Sequence, residues 1–269
     1  MVEIIKSNQN KNIKLIRSLQ QKKYREEYSQ FVIEGEKLLI EALSYDAYLK
    51  LVAVAERYSG KEECSKLIEM CKARCISVVY VDDTLFDEIS ETETPQGAIA
   101  VVQKKEYFLD CIMAANDINI IVLDEIRDPG NLGTIIRTAD ACGLDAVILS
   151  KGCVDLYNSK SIRATMGSIF HIPIIDGQEL DELIDLLHES DIETFAADPY
   201  GNTNVIQLPS TSRNAIFIGN ESRGISKEIK HKLKHSVRIP MPGKAESLNA
   251  GIAAALMMYE ITVRKGYGR

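Results

Sequence analysis

From residue 120 onward, short apolar runs alternate regularly with helical patterns, and this alternation constrains the fold more than any other feature of the sequence. Helical patterns lie at about 132–142, 159–166, 178–189, 225–234 and 248–263. Strands that alternate with helices form a parallel sheet covered on both faces, so we predict an α/β fold. Six runs have the composition of buried strands: Ile120 to Leu123, Ala146 to Leu149, Ile172 to Ile175, Thr194 to Ala197, Ala215 to Ile218 and Val237 to Ile239.

The first 105 residues mix strand and helix patterns in a less regular order. Strand patterns lie at Phe31 to Gly35, Leu49 to Ala55, Ser77 to Val81 and Gly97 to Val102, with helical patterns between them. This order predicts a separate, small α/β domain. The stretch 106–117 has the polar margins of a connector. We therefore predict an N-terminal domain at 1–105, a linker at 106–117 and a second domain at 118–269.

Bulk composition predicts a well-packed protein of the cytoplasm. Apolar residues make up 45% of the 269 positions, which suffices for a core in each domain. No stretch approaches the roughly 18 apolar residues of a membrane span, and the N-terminus lacks the layout of a signal peptide. The six cysteines form no CxxC pair, so we expect free thiols. His231 and His235 are spaced like metal ligands but have no partner set, so we expect no metal.

The charge distribution disfavours an indiscriminate nucleic-acid-binding protein. The formal net charge is −7, whereas non-specific affinity comes from neutralising phosphates. Two segments are nevertheless basic, residues 1–25 and residues 222–244. A structured RNA partner and two solvated helix faces are both compatible with this pattern. The first segment contains Lys6, Lys11, Lys14, Arg17, Lys22, Lys23 and Arg25.

Three apolar runs of the second domain end in loops rich in glycine, proline and polar residues. The loops read DPGNLG at 128–133, GNESRG at 219–224 and IPMPG at 239–243. GNESRG matches neither the GxGxxG nor the Walker fingerprint, which disfavours a dinucleotide or P-loop site. Because loops at the carboxyl ends of parallel strands share one edge of the sheet, the three loops predict one composite pocket.

The helices that follow these loops carry further candidates. Asn131 is a candidate N-cap, and Arg137 lies off the apolar stripe of the same helix, where it either faces a ligand or forms an ordinary i,i+3 ion pair. Ser247 is a candidate N-cap of the last helix. That helix has almost no polar face, so it must be buried by its own domain or by a second subunit. We expect Met257 and Met258 at such a subunit interface.

Taken in this order, the three segments resemble the signature motifs of the SpoU (TrmH-type) branch of the SPOUT RNA methyltransferases. Each motif alone is weak, whereas three in register over about 150 residues are specific. The stretches FVIEG at 31–35 and TPQG at 94–97 resemble the small RNA-substrate-binding domain of the same family, so the resemblance covers nearly the whole chain. The matching motif residues are Asn131, Gly133 and Arg137; Gly219, Glu221 and Gly224; and Ile239, Pro240 and Met241 with Ser247, Leu248, Asn249 and Ala253.

The resemblance implies an activity, a cofactor and an assembly. The family transfers a methyl group from S-adenosylmethionine to a ribose 2′-hydroxyl of RNA. The implied fold is a C-terminal parallel-sheet SPOUT domain with a deep trefoil knot, in a homodimer whose partner subunit helps to complete the site. Carried over position by position, the cofactor-binding residues are Gly219, Ile239 and Leu248, and the catalytic residues are Asn131, Arg137, Glu221, Ser247 and Asn249.

The resemblance leaves the RNA target open. A separate N-terminal domain is more typical of the ribosomal-RNA members, so we expect large-subunit ribosomal RNA, with a tRNA 2′-O-methyltransferase as the alternative. Two further alternatives are a related enzyme that acts on a base and a catalytically silent RNA- or ribosome-binding protein. The match to the 2′-O branch disfavours the first of these, and the intact motif residues disfavour the second.

Overall fold

The computed structural model describes residues 3–208 and 211–263, and the chain divides into two compact units. The first unit contains the residues up to 105 together with 157–163, and the second contains 106–156 and the residues from 164 onward. The sequence pattern predicts that 157–163 belong to the second domain. They belong to the first unit because the Tyr157 ring packs on the Phe31 ring, with centroids 4.7 Å apart, and Lys104 Nζ lies 4.4 Å from the Tyr157 centroid.

Five strands form a mixed sheet in the first unit: β1 (Ile4–Ile5), β2 (Gln30–Glu34), β3 (Leu49–Ala55), β4 (Ser77–Val81) and β5 (Ala98–Gln103). Their order is β1-β4-β3-β5-β2, in which β1, β4 and β3 are parallel and β5 is antiparallel to both neighbours. The helices here are α1 (Lys11–Ser18), α2 (Lys22–Glu27), α3 (Glu36–Ser44), α4 (Glu62–Ala73) and α5 (Asp83–Ile89).

The two N-terminal stretches that resemble the family's substrate-binding domain are joined in the first unit. The Glu34 carboxylate accepts hydrogen bonds from Ser90 Oγ at 2.9 Å, Thr92 Oγ1 at 2.8 Å and the Gln96 backbone N–H at 3.1 Å. Gly97 follows with φ of +83°, and a Cβ there would lie 2.6 Å from a tyrosine ring. Only glycine fits this position. The hydrogen bonds of Glu34 attach the loop at residues 90–96 to the end of β2.

Seven strands form a wholly parallel sheet in the second unit: β6 (Ile118–Leu123), β7 (Ala146–Ser150), β8 (Ile174–Gln178), β9 (Glu193–Ala197), β10 (Thr203–Asn204), β11 (Arg213–Ile218) and β12 (His235–Arg238). Their order is β10-β12-β9-β11-β6-β7-β8. The helices of this part of the chain are α6 (Leu109–Met113), α7 (Pro129–Ala141), α8 (Ser159–Thr165, which runs from the first unit into the second), α9 (Leu180–Glu189), α10 (Lys227–Lys232) and α11 (Ala250–Met258).

The alternation predicted from residue 120 onward is confirmed as an α/β fold with a parallel sheet. One strand begins later than predicted, at Ile174 instead of Ile172. The reason is Pro173, which has no N–H and contributes only its carbonyl, an acceptor for Val147 N at 3.0 Å. Helix α6 lies inside the stretch predicted as a linker, and the short strand β10 has no counterpart among the predicted strands.

The last helix, predicted to be buried by its own domain or by a second subunit, is covered on one side only by its own chain. Met257 and Met258, the positions expected at a subunit interface, are both 0% exposed and belong to the core of the second unit. Ile252, Leu256 and Tyr259 are instead 51%, 41% and 57% exposed. The expected positions were wrong because α11 turns its methionine side toward α7 and β11, against which it packs.

Two further structural expectations concern metals and membranes. Within residues 3–208 and 211–263, no helix is long and apolar enough to cross a membrane, and no His, Cys, Asp and Glu side chains are grouped to hold a metal ion. His235 stacks on Phe195 with ring centroids 4.9 Å apart and contacts Glu193 at 2.9 Å. All six cysteines are free.

Candidate active site

The three loops singled out in the sequence leave the same edge of the parallel sheet. β11 pairs with β6 on one side and with β9 on the other, and β12 pairs with β9. Because these strands are parallel, their carboxyl ends meet at one edge. Residues 124–128 follow β6, residues 219–226 follow β11, and residues 239–249 follow β12. The fold therefore brings the three motifs to one place.

The side-chain amide of Asn131 connects all three motifs. Asn131 Nδ2 donates to Glu221 Oε1 at 2.9 Å, and Asn131 Oδ1 accepts from Asn249 Nδ2 at 3.0 Å. An amide has distinct donor and acceptor ends, so the two bonds define how each side chain is oriented. Three of the five predicted catalytic residues thus form one hydrogen-bonded row, and Glu221 at its end is exposed to solvent.

The N-caps of the two site helices differ from the predicted ones. Asp128, not Asn131, caps α7, and its Oδ1 accepts from the Asn131 backbone N–H at 2.7 Å. The helix begins early because Pro129 is suited to the first helical position. Asn249, not Ser247, caps α11, and its Oδ1 accepts two N–H groups of the first turn at 2.9 and 3.3 Å. The Asn131 side chain is therefore free of capping, while Asn249 both caps and donates to the row.

Two motif glycines are required by close packing. A Cβ on Gly133 would lie 2.2 Å from the Cβ of Ala164, and a Cβ on Gly219 would lie 2.1 Å from the backbone nitrogen of Ile225. The second approach arises because the GNESRG loop folds back on the end of β11, with Gly224 at φ of +68°. Both positions exclude any side chain, and at Gly219 this lets the backbone of Gly224 and Ile225 pack directly on the end of the strand.

Arg137 is exposed on α7, and among the described residues it makes no hydrogen bond or ion pair. The i,i+3 ion pair that the sequence left open is not formed. Its acidic member, Asp140, contacts His171 instead, with 2.8 Å between Asp140 Oδ2 and His171 Nδ1. The guanidinium thus keeps its donors available for a ligand or a second subunit.

The remaining predicted residues lie in the segment between β12 and α11. Ile239 directly follows β12, and Leu248 precedes the N-cap of α11; both side chains are half-buried. Ser247 is exposed and makes no hydrogen bond to a described residue. A nucleoside cofactor needs apolar contact surface and accessible backbone polar groups. Ile239 and Leu248 offer half-buried apolar surface, and Gly219 lies half-buried at the end of β11.

Two acidic residues outside the predicted set hold the GNESRG loop. The Glu125 carbonyl accepts from Asn220 Nδ2 at 2.9 Å, and Asp124 Oδ2 accepts from Ser226 N at 3.4 Å. Burial raises the pKa of the Asp124 carboxyl, and the Ser226 N–H opposes this shift only in part. Glu125 has φ of +53°, which is uncommon for a residue with a side chain. The sequence signal was an Asp-Glu pair at the end of an apolar run.

Comparisons with known proteins show the family of the chain. The SpoU rRNA methylase family profile matches residues 119–259, and the MRM3-like substrate-binding domain profile matches residues 10–100. The 23S rRNA (guanosine(2553)-2′-O)-methyltransferase RlmP of Bacillus subtilis is 33% identical, over 96% of this chain and 98% of the relative.

Two solved structures are similar over nearly the whole chain. An AdoMet-bound rRNA methyltransferase from Sinorhizobium meliloti has a TM-score of 0.86 at 30% identity, covering 98% of both chains. The SpoU methyltransferase AviRb from Streptomyces viridochromogenes, in complex with AdoMet, has a TM-score of 0.86 at 26% identity, covering 97% of this chain and 100% of that one. Fold and site together define an RNA methyltransferase domain preceded by a substrate-binding domain. The chain belongs to the SpoU rRNA methylase family.

Proposed function

We propose that this protein transfers a methyl group from S-adenosylmethionine to a ribose 2′-hydroxyl of large-subunit ribosomal RNA. The observation that carries the proposal is the row Asn249–Asn131–Glu221, which joins the three family motifs in one site. The relatives named as ribosomal RNA 2′-O-methyltransferases, and the AdoMet-bound structures, support the same reaction and the same donor.

In the proposed mechanism, Gly219, Ile239 and Leu248 hold the cofactor, which supplies an electrophilic methyl group. The protein must align the ribose hydroxyl with that group, and alignment alone can supply much of the acceleration. Arg137 is a poor base, because its guanidinium already carries its proton and has no acceptor lone pair to offer. We assign it to the phosphate and hydroxyl of the acceptor nucleotide, where its charge favours loss of the hydroxyl proton to phosphate or water. Glu221 holds Asn131 in place through the hydrogen bond at 2.9 Å.

We further propose a homodimer with the deep trefoil knot of the family, acting in the cytoplasm on ribosomal RNA. The exposed apolar side of α11 supports the dimer, since Ile252, Leu256 and Tyr259 follow one another at helical spacing along one face. The available guanidinium of Arg137 supports a site completed by the partner subunit. Structural similarity over the full chain to SpoU methyltransferases supports the knot.

The direct test is methyl transfer from labelled S-adenosylmethionine to separated 23S, 16S and transfer RNA, followed by nucleoside mass spectrometry. We expect a 2′-O-methylated nucleoside in 23S RNA. Transfer to transfer RNA would support the alternative tRNA enzyme, a methylated base would contradict the ribose assignment, and no transfer to any fraction would leave a silent binding protein. Mapping 2′-O-methyl sites in cells with and without the protein then identifies the nucleotide.

Replacing Asn131 with Asp should uncouple the catalytic row. A carboxylate at this position still accepts from Asn249, but it cannot donate to Glu221 and places two negative charges in contact. Losing such a bond costs about 1–3 kcal/mol, so we expect transfer to fall roughly 10- to 100-fold. Glu221→Gln is the matched variant, because its amide oxygen keeps the bond while the charge is removed. Single-turnover rates for both variants separate the effect of losing the hydrogen bond from the effect of changing the charge. A wild-type rate for Asn131→Asp would refute the role of the row.

The RNA is expected to contact the basic N-terminal segment through fewer residues than its sequence suggests. Arg25 is buried, and its Nη1 donates to two backbone carbonyls at 2.7 Å. Arg17 pairs with Glu88 at 2.6 Å. The second basic segment is also partly neutralised, by the pairs Lys230–Asp198, Lys232–Asp181 and Lys234–Glu193. Lys22 likewise pairs with Glu26 at 3.6 Å, so the remaining exposed lysines of the first segment are the candidates: Lys6, Lys11, Lys14 and Lys23.

Neutralising Lys11, Lys14 and Lys23 with Gln should weaken RNA binding and flatten its salt dependence. Each lost phosphate contact removes about 0.7–0.9 from the slope of log K against log salt. Affinity for S-adenosylmethionine should not change, because its site lies in the second unit. Filter binding at several salt concentrations measures the slope. An unchanged slope would show that the segment is a solvated helix face.

A further inference from the structure

One end of the sheet in the first unit carries exposed tyrosines just before β2 and β3, the two strands that flank β5. We propose that this tyrosine end, formed by Tyr24, Tyr28 and Tyr48 with Lys23 and Lys50, binds unpaired nucleotides of the RNA substrate by stacking bases on Tyr28 and Tyr48. The inference rests on the proposed function, because it assigns a surface to the RNA of that reaction. It adds a mode of recognition that the basic segment alone does not provide.

Backbone hydrogen bonds place the two stacking tyrosines on either side of the end of β5. Gln103 N donates to Tyr48 O at 2.9 Å, and Lys104 N donates to Ser29 O at 2.8 Å. Since β5 lies between β3 and β2, the residue before β3 and the residues before β2 flank it directly. Neighbouring strands lie about 4.8 Å apart, so the two backbones are separated by roughly 10 Å across β5. Tyr28 is thus at the same end of the sheet as Tyr48, and the end of β5 lies between them.

The exposure of these rings is large for tyrosine. Tyr48 is 69% exposed and Tyr28 is 41% exposed. The Tyr24 ring stacks beside Tyr28, with centroids 6.0 Å apart and an interplanar angle of 24°. An aromatic side chain that is already supported loses little conformational freedom when a ligand stacks on it. A base that stacks on Tyr28 would therefore add a third ring to the existing Tyr24–Tyr28 pair.

Lysines supply positive charge beside the rings. Lys23 Nζ lies 5.5 Å from the centroid of Tyr24. Lys50 is the extra residue of a β-bulge in β3 and is exposed. Bulges are frequent next to functional sites, where they redirect a side chain. Two carboxylates at this end are held in ion pairs, Glu26 by Lys22 and Asp46 by Arg74, each at 3.6 Å.

This combination favours single-stranded RNA over a duplex or a protein. Proteins bind unpaired nucleotides with aromatic rings for the bases and lysines for the phosphates, and each stacked base contributes about 1–3 kcal/mol. The bases of a duplex are already stacked on one another and present mainly phosphates and sugars. A protein partner would be expected to need a continuous apolar patch, whereas here the rings alternate with charges.

The test uses the full-length protein and a labelled oligouridylate of about 12 nucleotides, within the site size of single-strand binding surfaces. Fluorescence anisotropy should show that the double variant Tyr28→Ala with Tyr48→Ala binds at least about tenfold more weakly, as one stacked base predicts. The double variant Tyr28→Phe with Tyr48→Phe should bind within twofold of wild type, because it keeps both rings. The chain has 11 tyrosines and no tryptophan, so tyrosine emission can be followed, and quenching that is lost in the alanine variant reports stacking on Tyr28 or Tyr48.

Several outcomes would overturn the proposal. The first is binding of the oligouridylate by the alanine variant as tight as that by wild type. The second is a loss of affinity in the phenylalanine variant as large as that in the alanine variant. The third is a loss of affinity for a fully paired RNA of the same length as large as that for the oligouridylate. Tyr200→Ala is the control for loss of an exposed tyrosine, since Tyr200 is 84% exposed and lies in the other unit. The single variant Tyr48→Ala, at the most exposed of the three positions, keeps the proposal testable if the double variant fails to fold.

The proposed function can fail separately. If wild-type protein methylates no RNA, the activity is refuted, while the oligouridylate titration still decides the tyrosine end. If the proposed activity and the proposed tyrosine end are both correct, the alanine variant should have a higher KM for ribosomal RNA than wild type, with kcat within about twofold. Its affinity for S-adenosylmethionine, measured by calorimetry, should equal that of wild type.

Discussion

The Arg137→Ala variant is expected to lose methyl transfer by about 10³-fold while its affinity for S-adenosylmethionine stays within a few fold. Groups that stabilise charge developing in the transition state contribute about 10²–10³ in rate, and here the same side chain also positions the acceptor. Arg137 is exposed and has no partner among the described residues, so its removal should cost little stability. Labelled methyl transfer measures the rate, calorimetry measures cofactor affinity, and an unchanged melting temperature excludes misfolding.

Arg137→Lys separates charge from geometry at the same position. A lysine keeps the positive charge but lacks the planar guanidinium that can hold a phosphate and a hydroxyl together. We therefore expect the lysine variant to fail nearly as severely as the alanine variant. Near-normal turnover by the lysine variant would contradict the assignment and leave Arg137 with a role in general electrostatic attraction only.

The strands were predictable because a strand buried on both faces of a sheet is a continuous run of apolar residues. Ile120 to Leu123 and Ala215 to Ile218 are continuous apolar runs, and both are central strands with almost no exposed surface. Their order in the sheet was not predictable, because such runs are interchangeable as neighbours. The assignment of 157–163 to the first unit depends on the contact of Tyr157 with Phe31, which lies far away in the sequence.

The site was predictable in its membership but not in its connections. Asn131, Glu221 and Asn249 were named from the motifs, while the hydrogen bonds between them depend on which end of each amide faces its neighbour. Local rules gave the wrong cap for α7, because Asp and Asn are nearly equivalent N-caps and Pro129 decides between them; they also gave the wrong cap for α11, because Ser and Asn are similarly favoured as N-caps. Asp124 was missed since its contact with Ser226 joins two loops that are separate in the sequence.

Leu256→Glu is expected to convert the dimer into a monomer of 30 kDa and to reduce transfer severely. Leu256 is 41% exposed in this chain, between Ile252 and Tyr259 on one face of α11, so a second subunit that covers this face would have to bury the new carboxylate. Burying an unpaired charge costs several kcal/mol, a penalty that opposes association of the two subunits. Because the partner is proposed to complete the site around Arg137, the loss of the dimer should also remove activity.

Two controls distinguish loss of the interface from loss of the fold. Leu256→Met conserves volume and should remain a fully active dimer. Met257→Ala removes a side chain that is 0% exposed, so it should lower the free energy of unfolding by about 2–5 kcal/mol without dissociating the subunits. Sedimentation velocity gives the assembly state, and thermal melting gives the stability. A Leu256→Glu protein that sediments as a folded, fully active monomer would show that the exposed face of α11 is not a subunit interface, and that one chain provides every group the reaction needs.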